Sequence, residues 1–329
     1  MKKQLLGVLC VFALAATSLT VFADEPVKIG FVNMSSGNPV FYDLEKGAKE
    51  TAEELGVDLQ WVAPETADSV KEAELIEQLA NSGVQAIAVV PYDDTLLTTM
   101  QAVSDKGIYV AEVSGSNITY DGLSFVVGTN QYNVGHDVGL IAAEALTDKE
   151  KTYKFAIITD LSSTSAFEDR IKGFTDALDD AGIKYEEIGK ISCEDDISKA
   201  VEGVETFTSA NPDMDMWFFA GGWPLMTDVS ALPNLQKWHE EEGHYCFSVD
   251  AFPPMEAFFD EGICDGCSGQ FYHAMGEISI TFLDKLIKGE ELPEPDNLLE
   301  HDNPFYSSGS LAITPADYKD VFSTMTPWN

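Results

Sequence analysis

The sequence has little positive charge. Among its 329 residues, 19 are Lys or Arg and 56 are Asp or Glu, so the formal net charge is −37. A surface of this sign repels nucleic acid and anionic membranes, and no basic stripe offsets it. The simplest explanation is that acidic side chains keep the helix surfaces solvated, and a cationic ligand is a second explanation. We therefore expect no nucleic-acid partner.

The common motifs of catalytic sites are also absent. The sequence contains no G-x-S-x-G elbow, no H-E-x-x-H helix and no glycine-rich phosphate loop. The five histidines fall mostly outside the predicted strand ends. His239 and His244 flank an acidic run that resembles a metal cluster, but this spacing misses a single helix face, which favours a solvated helix end. We expect no catalysis, no metal and no cofactor.

Long apolar runs are confined to the N-terminus. Two lysines precede the apolar segment Leu5–Val21, and small residues follow up to Ala23. This pattern is typical of a secretory signal, and the segment is too short and wrongly flanked to span a membrane. Cys10 lies inside the segment rather than after a lipobox, which argues against a lipid anchor. We expect residues 1–23 to be removed and the mature chain to be exported and soluble.

Few cysteines remain after such cleavage: Cys193, Cys246, Cys264 and Cys267. An oxidising compartment permits disulfides. Cys264 and Cys267 form a C-x-x-C pair inside a predicted strand, where positions three apart point to opposite faces. A redox pair would open a helix, and a zinc site would need two further ligands. A structural disulfide or buried thiols are the two remaining interpretations.

The rest of the sequence alternates between apolar strand patterns and amphipathic helix patterns. The predicted strands are Lys28–Asn33, Asp58–Ala63, Ala86–Pro91, Tyr109–Ser114, Ser124–Gly128, Lys154–Asp160, Tyr185–Ile188, Met216–Ala220, Tyr245–Asp250 and Cys264–Gln270. Continuous apolar runs of this length are typical of buried parallel strands. Because one open sheet of ten strands would be large, we expect an α/β fold with two doubly wound parallel-sheet lobes.

The first strand leads into a polar loop and then a helix. Asn38 is placed to cap that helix, Pro39 suits its first position, and Phe41 begins the apolar face, which ends before Gly56. Parallel sheets bind ligands at the carboxyl ends of their strands. This loop is therefore a candidate wall of a small-molecule site.

Several segments occur in a familiar order over most of the chain. They are Lys28–Val32, Asn38–Phe41, Leu44–Ala48, Ala86–Pro91, Thr164–Ala166, Arg170–Phe174, Asn211–Asp213, Phe247–Asp250 and Gln270. With them the chain resembles the type I periplasmic substrate-binding proteins, and among these the ribose-binding-like group of sugar ABC transporters. The resemblance covers essentially the whole mature chain.

The resemblance implies two lobes joined by a hinge of three chain crossings. By position, the crossings fall near Gly128–Asn130, near Gln270 and before Ser310. The lobes would comprise residues 24–129 plus 271–300, and residues 130–270 plus 301–329.

The resemblance also implies a ligand site in the cleft between the lobes. Asn38, Asp250 and Gln270 match polar ligand contacts of the family, and Phe41 matches an aromatic that stacks on the sugar ring. A sugar is held by such a ring together with amides and carboxylates that bind its hydroxyls. The alternative is that Asn38 is only a helix cap and Phe41 only a core residue.

Other family contacts are replaced in this sequence. An Asn gives way to a stretch that includes Tyr92 and Asp93, and an Asp–Arg pair gives way to Ser114 and Gly115. The family's ligand-clamping Arg falls on Glu168, and a further Asn falls near Gly221 and Gly222. The additional candidate ligand-binding residues are Tyr92, Asp93, Ser114, Phe167, Glu168 and Trp223. Lost polar partners argue against ribose and favour a bulkier, less hydroxylated or partly cationic ligand.

The function implied is that of a periplasmic solute-binding protein. It would be a monomer that closes around a small sugar, a polyol or a cationic or hydroxylated compound and delivers it to an ABC permease in the inner membrane. One alternative is a ligand sensor that contacts a chemoreceptor or sensor kinase. Another is an exported carbohydrate-active enzyme in which Asp250 and Glu168 form a carboxylate pair. A repressor with this core would need a helix-turn-helix where the signal segment lies.

Overall fold

The structure is a computed structural model that describes residues 26–114, 118–160, 165–323 and 325. The predicted signal segment, its cleavage after Ala23, and Gly115 lie outside the described residues. Within them the chain forms two lobes, each built around its own sheet. No helix of this described part is long and apolar enough to cross a membrane.

The sheet of the first lobe has seven strands among the described residues. In chain order they are β1 (Lys28–Val32), β2 (Asp58–Val62), β3 (Ala86–Val89), β4 (Tyr109–Val113), β5 (Phe125–Gly128), β11 (Asn297–Leu298) and β12 (Pro304–Ser307). Their spatial order is β11-β12-β5-β4-β3-β1-β2, and all neighbouring pairs are parallel except β11 with β12. The central strands β3 and β5 are buried along their whole length because helices cover both faces.

The α-helices of this lobe are α1 (Tyr42–Leu55), α2 (Ser69–Asn81), α3 (Leu97–Ser104) and α9 (Tyr272–Ile287). Helix α1 buries Leu44, Ala48 and Ala52 at four-residue steps. It ends at Gly56, whose φ of 71° is the left-handed conformation that favours glycine.

The sheet of the second lobe has six strands in the described part of the chain. They are β6 (Thr152–Thr159), β7 (Lys184–Ser192), β8 (Met216–Phe219), β9 (Tyr245–Val249), β10 (Gly266–Gln270) and β13 (Ser310–Ile313). Their spatial order is β13-β10-β9-β8-β6-β7, and only β13 is antiparallel to its neighbour. The α-helices are α4 (Gln131–Ala145), α5 (Ser165–Asp180), α6 (Ile197–Ala210), α7 (Pro233–His239), α8 (Glu256–Asp260) and α10 (Tyr318–Phe322).

The chain passes between the lobes after β5, after β10 and between β12 and β13. The last passage lies before Ser310, as the resemblance implied, but our predicted division assigned all of residues 301–329 to the second lobe. Strand β12 instead pairs in parallel with β5, with Phe305 opposite Val126, and so belongs to the first lobe. The boundary therefore lies after Ser307 rather than at residue 300. A four-residue strand that starts with proline carries too little periodicity to be recognised in sequence.

Cys193, Cys246, Cys264 and Cys267 are buried, free thiols in this structure. Of the two interpretations left open by the sequence, the structure therefore has buried thiols. Cys264 Sγ donates to the carbonyl oxygen of Gly266 at 3.6 Å. Burial raises the pKa of Cys246 and Cys267 well above the ordinary value, which keeps both thiols protonated and unreactive.

Candidate functional site

A cavity of about 710 Å³, part of it open to solvent, lies between the lobes where the strands of both sheets end. It is lined by Met34, Asn38, Val40, Phe41, Pro91, Tyr92, Ser114, Gln131, Asp160, Ala166, Phe167, Arg170, Asp195, Trp223, Met226, Asp250 and Tyr272. Polar groups and aromatic rings from both lobes thus face the same space. This is the arrangement expected of a small-molecule site in α/β folds.

Asn38 has a structural role and also faces the cleft. Its Oδ1 accepts from the Val40 backbone N–H at 3.1 Å, which caps the short turn before α1. Its Nδ2 donates to Asp195 Oδ1 at 2.8 Å, across the gap between the lobes. The two interpretations of Asn38, cap and cleft residue, are therefore compatible, since each uses a different atom of the amide.

Asp195 is a cavity residue that the sequence analysis missed. It lies in the loop between β7 and α6, and its Oδ1 also accepts from Trp223 Nε1 at 2.9 Å. Burial, reinforced by the charge of Asp160, raises the pKa of Asp195 to about 7 against the opposing effect of these hydrogen bonds. The predicted strand Tyr185–Ile188 ended too early, so the sequence did not place this loop at the cleft.

Asp250 follows β9 directly and is buried in the cavity wall. Its Oδ2 accepts from the Gly222 backbone N–H at 3.0 Å, and its Oδ1 accepts from Gln270 Nε2 at 2.6 Å. The same Nε2 donates to the Tyr272 hydroxyl at 3.0 Å. Gln270 itself is not among the lining residues, so it acts by positioning Asp250 and Tyr272 from behind.

Helix α5 contributes Phe167 and Arg170 to the cavity. Arg170 is buried; its Nε donates to Gln131 Oε1 at 2.6 Å and its Nη1 to the Ala220 carbonyl at 2.7 Å. Its guanidinium also lies 4.8 Å from the centre of the Phe167 ring. Arg170 was not among the predicted ligand-binding residues, and it supplies a guanidinium to a cavity in which we expected Glu168 in place of the family's clamping Arg.

Glu168, which we predicted in the site, is exposed and does not line the cavity. It forms an ion pair with Lys190 at 3.1 Å on the outside of the lobe. Residues three apart on a helix share a face, as Phe167 and Arg170 do, whereas Glu168 lies about 100° away from Phe167. The carboxylate pair of Asp250 and Glu168 that the enzyme alternative required is consequently not assembled in one cavity.

Aromatic rings form much of the remaining wall. Phe167 and Trp223 are 5.5 Å apart, and Phe41 meets Tyr272 edge to face at 6.2 Å. Burial, with a contribution from nearby carboxylates, raises the pKa of Tyr92 to about 12, so its phenol is protonated.

Two further predicted residues differ in placement. Ser114 lines the cavity with a φ of 81°, and its carbonyl accepts from Gln131 Nε2 at 3.1 Å. Asp93 does not line it; its carboxylate accepts from Ser69 Oγ at 2.5 Å and from the Thr95 backbone N–H at 2.9 Å. Asp93 therefore stabilises the turn before α3.

The structure thus brings together Asn38, Phe41, Tyr92, Ser114, Phe167, Trp223 and Asp250, and leaves out Asp93, Glu168 and Gln270. The binding role of these residues stays a prediction.

His239 and His244 have separate partners, Asp265 and the Trp238 carbonyl, at 2.8 and 2.6 Å. Over the described ranges, no group of three or more His, Cys, Asp or Glu side chains could hold a metal ion.

The sequence model of the periplasmic binding protein domain matches residues 29–291. The chain belongs to the periplasmic binding protein domain family. This assignment confirms the resemblance and the predicted fold class of two parallel-sheet α/β lobes.

Two curated proteins with similar sequences are named for the binding of sugars. The D-allose-binding periplasmic protein of Escherichia coli is 25% identical over 231 residues, which is 68% of this chain and 74% of that protein. The D-ribose/D-allose-binding protein of Pseudomonas aeruginosa is 29% identical over 177 residues, or 50% of this chain and 54% of that protein. The chain thus matches only about half the length of the second relative.

Solved structures agree with the fold. An ABC transporter solute-binding protein from Burkholderia graminis, in complex with D-arabinose, has a TM-score of 0.78 at 22% identity, covering 92% of this chain and 98% of that one. One from Actinobacillus succinogenes, with bound D-allose, has a TM-score of 0.75 at 20% identity, covering 90% and 100%. At these identities the similarity concerns the fold alone.

Proposed function

We propose that the protein is the solute-binding component of an ABC importer and binds a small sugar or polyol between its lobes. The observation that carries this proposal is the Asn38–Asp195 hydrogen bond, which joins the lobes at the edge of a cavity with polar and aromatic walls. Relatives named for D-allose and D-ribose support the ligand class.

Hinge closure supplies the binding mechanism. Asn38, Phe41 and Tyr92 lie on the first lobe, whereas Asp250 and Trp223 lie on the second. A ligand that contacts both sets binds the closed arrangement better than the open one, and so shifts the equilibrium towards closure. The three connecting passages absorb the movement.

The cavity offers each contact that a sugar ring needs. The apolar face of the ring packs against Phe41 and Trp223, which lie on opposite lobes. Its hydroxyls donate to the carboxylate of Asp250 and accept from the remaining N–H groups of Arg170. Each charged hydrogen bond contributes about 1.5–3 kcal/mol.

Delivery requires a membrane partner and export. In this proposal the signal segment is cleaved after Ala23, the mature protein acts as a monomer in the periplasm, and the closed form docks onto a permease in the inner membrane. The words "periplasmic" and "solute binding protein" in the names of its relatives support this location and partner.

The test is ligand-induced stabilisation measured by thermal unfolding and calorimetry. The panel is D-allose, D-ribose, D-arabinose and glycerol together with further sugars and polyols, and native mass spectrometry of the purified protein identifies any copurified ligand. We expect at least one compound to raise the unfolding midpoint. No binding across the panel and no copurified ligand would contradict the proposal.

The matched variants are Asp250→Ala and Asp213→Ala. Asp250 lies in the cavity wall, whereas Asp213 is an exposed acid of the same lobe that pairs with Lys154 at 2.6 Å. We expect Asp250→Ala to weaken binding at least about tenfold, the equivalent of one charged hydrogen bond, and Asp213→Ala to leave it unchanged. Equal affinities for the two variants would refute the placement of the site.

A further inference from the structure

The charged residues of the cavity wall are unevenly balanced. Asp160, Asp195 and Asp250 carry carboxylates, and Arg170 carries the one guanidinium of the lining. All four residues belong to the second lobe, and the lining residues of the first lobe are uncharged. With every group ionised, the wall has an excess of negative charge.

The carboxylates of Asp195 and Asp250 have no cationic partner among the described residues. The hydrogen-bond donors to Asp195 include the side chains of Asn38 and Trp223, and the donors to Asp250 include the Gly222 backbone and the side chains of Gln270 and Tyr272. All of these donors are neutral. In the part of the chain that the structure describes, neither Asp195 nor Asp250 forms an ion pair.

Arg170 forms no ion pair with Asp195 or Asp250 in the described part of the chain. Its Nε and Nη1 donate to Gln131 and to the Ala220 carbonyl, both neutral acceptors, and its guanidinium lies over the Phe167 ring. The guanidinium is therefore oriented by the second lobe itself and does not compensate Asp195.

The rest of the wall suits a cation. Phe41, Tyr92, Phe167, Trp223 and Tyr272 surround the carboxylates with aromatic rings. Ring faces attract ammonium groups, and the attraction grows when water is excluded. A buried carboxylate that lacks a counter-charge is costly, and a ligand that brings the counter-charge removes this cost.

We propose, building on the proposed function, that the ligand carries a protonated amino group beside its hydroxyl groups, and that Asp195 binds this ammonium group. Amino sugars and hydroxylated amines are the matching chemical class. Asp195 is the best placed of the three carboxylates, because it lies beside Trp223 at the boundary between the lobes. An ammonium group bound there would favour the ionised form of Asp195, opposing the effect of burial.

Matched ligand pairs test the proposal by calorimetry at pH 7. The pairs are D-galactose with D-galactosamine and glycerol with 2-amino-1,3-propanediol, and N-acetyl-D-galactosamine serves as an uncharged ligand with a substituent at the same position. We expect the amine of at least one pair to bind tenfold or more tightly than its hydroxyl counterpart. Binding of the neutral member with equal or higher affinity overturns this inference but leaves the proposed function intact. Absence of binding by every compound of these pairs also overturns this inference, whereas the proposed function is contradicted only if the sugar and polyol panel and the search for a copurified ligand fail as well.

The matched variants are Asp195→Asn and Glu194→Gln. Asn keeps an oxygen that accepts from Asn38 and Trp223 but removes the charge, whereas Glu194 is an exposed neighbour that pairs with Lys199. We expect Asp195→Asn to reduce the tenfold preference for the amine to less than twofold, and this ratio is the readout because the substitution also changes a cavity residue. Glu194→Gln should retain the preference. A preserved preference in a folded Asp195→Asn protein, verified by circular dichroism, overturns the assignment to Asp195.

Discussion

Glu72 is a buried acid of α2 whose carboxylate is only partly satisfied. Its Oε2 accepts from the Tyr92 backbone N–H at 3.1 Å, while its Oε1 has no hydrogen-bond partner among the described residues. Burial raises the pKa of Glu72 to about 8. Its protonated form therefore fits the folded protein better than its ionised form.

The pH dependence of stability follows from this direction. Because the pKa of Glu72 is raised in the folded state, the stabilisation that its protonated carboxyl group gives the folded protein is fully present below about pH 4.3. This stabilisation is lost as the pH rises towards 8. At pH 9 we expect the free energy of unfolding of Glu72→Gln, measured with denaturant, to exceed that of the wild type by about 1–3 kcal/mol. At pH 5 this difference should disappear.

The control for this experiment is Glu77→Gln on the same helix. Glu77 is exposed, so its substitution should leave the difference from wild type independent of pH. A pH-independent effect of Glu72→Gln would show that its carboxyl group titrates normally.

At the scale of elements, close helix contacts set the position of Arg170. Helices α4 and α5 approach so closely that a Cβ on Gly135 would lie 1.9 Å from the Arg170 carbonyl oxygen. In the first lobe, α1 and α9 make a similar contact, where a Cβ on Gly276 would lie 2.3 Å from the Leu44 carbonyl oxygen. At both positions the facing backbone cannot move aside without separating two helices, so a residue without a Cβ is required.

The two glycines provide a matched pair of variants. We expect Gly135→Ala and Gly276→Ala each to destabilise the protein by about 1–3 kcal/mol in denaturant unfolding, because each overpacks one helix pair. Gly135→Ala should also weaken ligand binding, and more than Gly276→Ala does, since it displaces the backbone of the cavity residue Arg170, whereas Gly276 meets Leu44, which does not line the cavity. Equal loss of affinity in both variants would indicate a general loss of structure instead.

The regularity of each strand explains which site residues could be predicted from the sequence. Asn38, Phe41 and Asp250 follow strands with clear apolar patterns, so their position at the cleft could be predicted. Strand β7 was harder to delimit, because its pairing with β6 shifts register between Phe155 and Ala156 and skips Ile188. A bulge interrupts the two-residue period, which hid the loop that carries Asp195.

At the scale of the whole molecule, the hydrogen bond between Asn38 and Asp195 makes closure of the lobes depend on the charges of these two side chains. The donor lies on the first lobe and the acceptor on the second, and they are 157 positions apart in sequence. A carboxylate in place of Asn38 would retain an acceptor for the Val40 N–H but would face Asp195 without a donor. Repulsion between two carboxylates at this distance opposes closure.

A charge swap tests this link. We expect Asn38→Asp to weaken ligand binding at least about tenfold at pH 8 in calorimetry, since ligand binding requires closure. Adding Asp195→Asn to the same protein should restore most of the affinity for a neutral ligand, because an amide and a carboxylate again face each other. A double variant that binds no better than Asn38→Asp would argue against closure through this bond.

The sequence by itself determined the architecture of this protein. Strand and helix periods, the cap at Asn38 and the stop at Gly56 are local features, and the alternation of strands with helices calls for covered parallel sheets. The segments that carry the family resemblance are local as well.

Only the tertiary structure decided how the cavity is composed. Whether Glu168 or Arg170 enters the cleft depends on how α5 packs against α4, and whether Asp195 meets Asn38 depends on how two separate lobes approach. These are contacts between residues far apart in sequence, so no local period records them. For this reason the two-lobed fold could be predicted from the sequence, whereas the excess negative charge of its cavity could not.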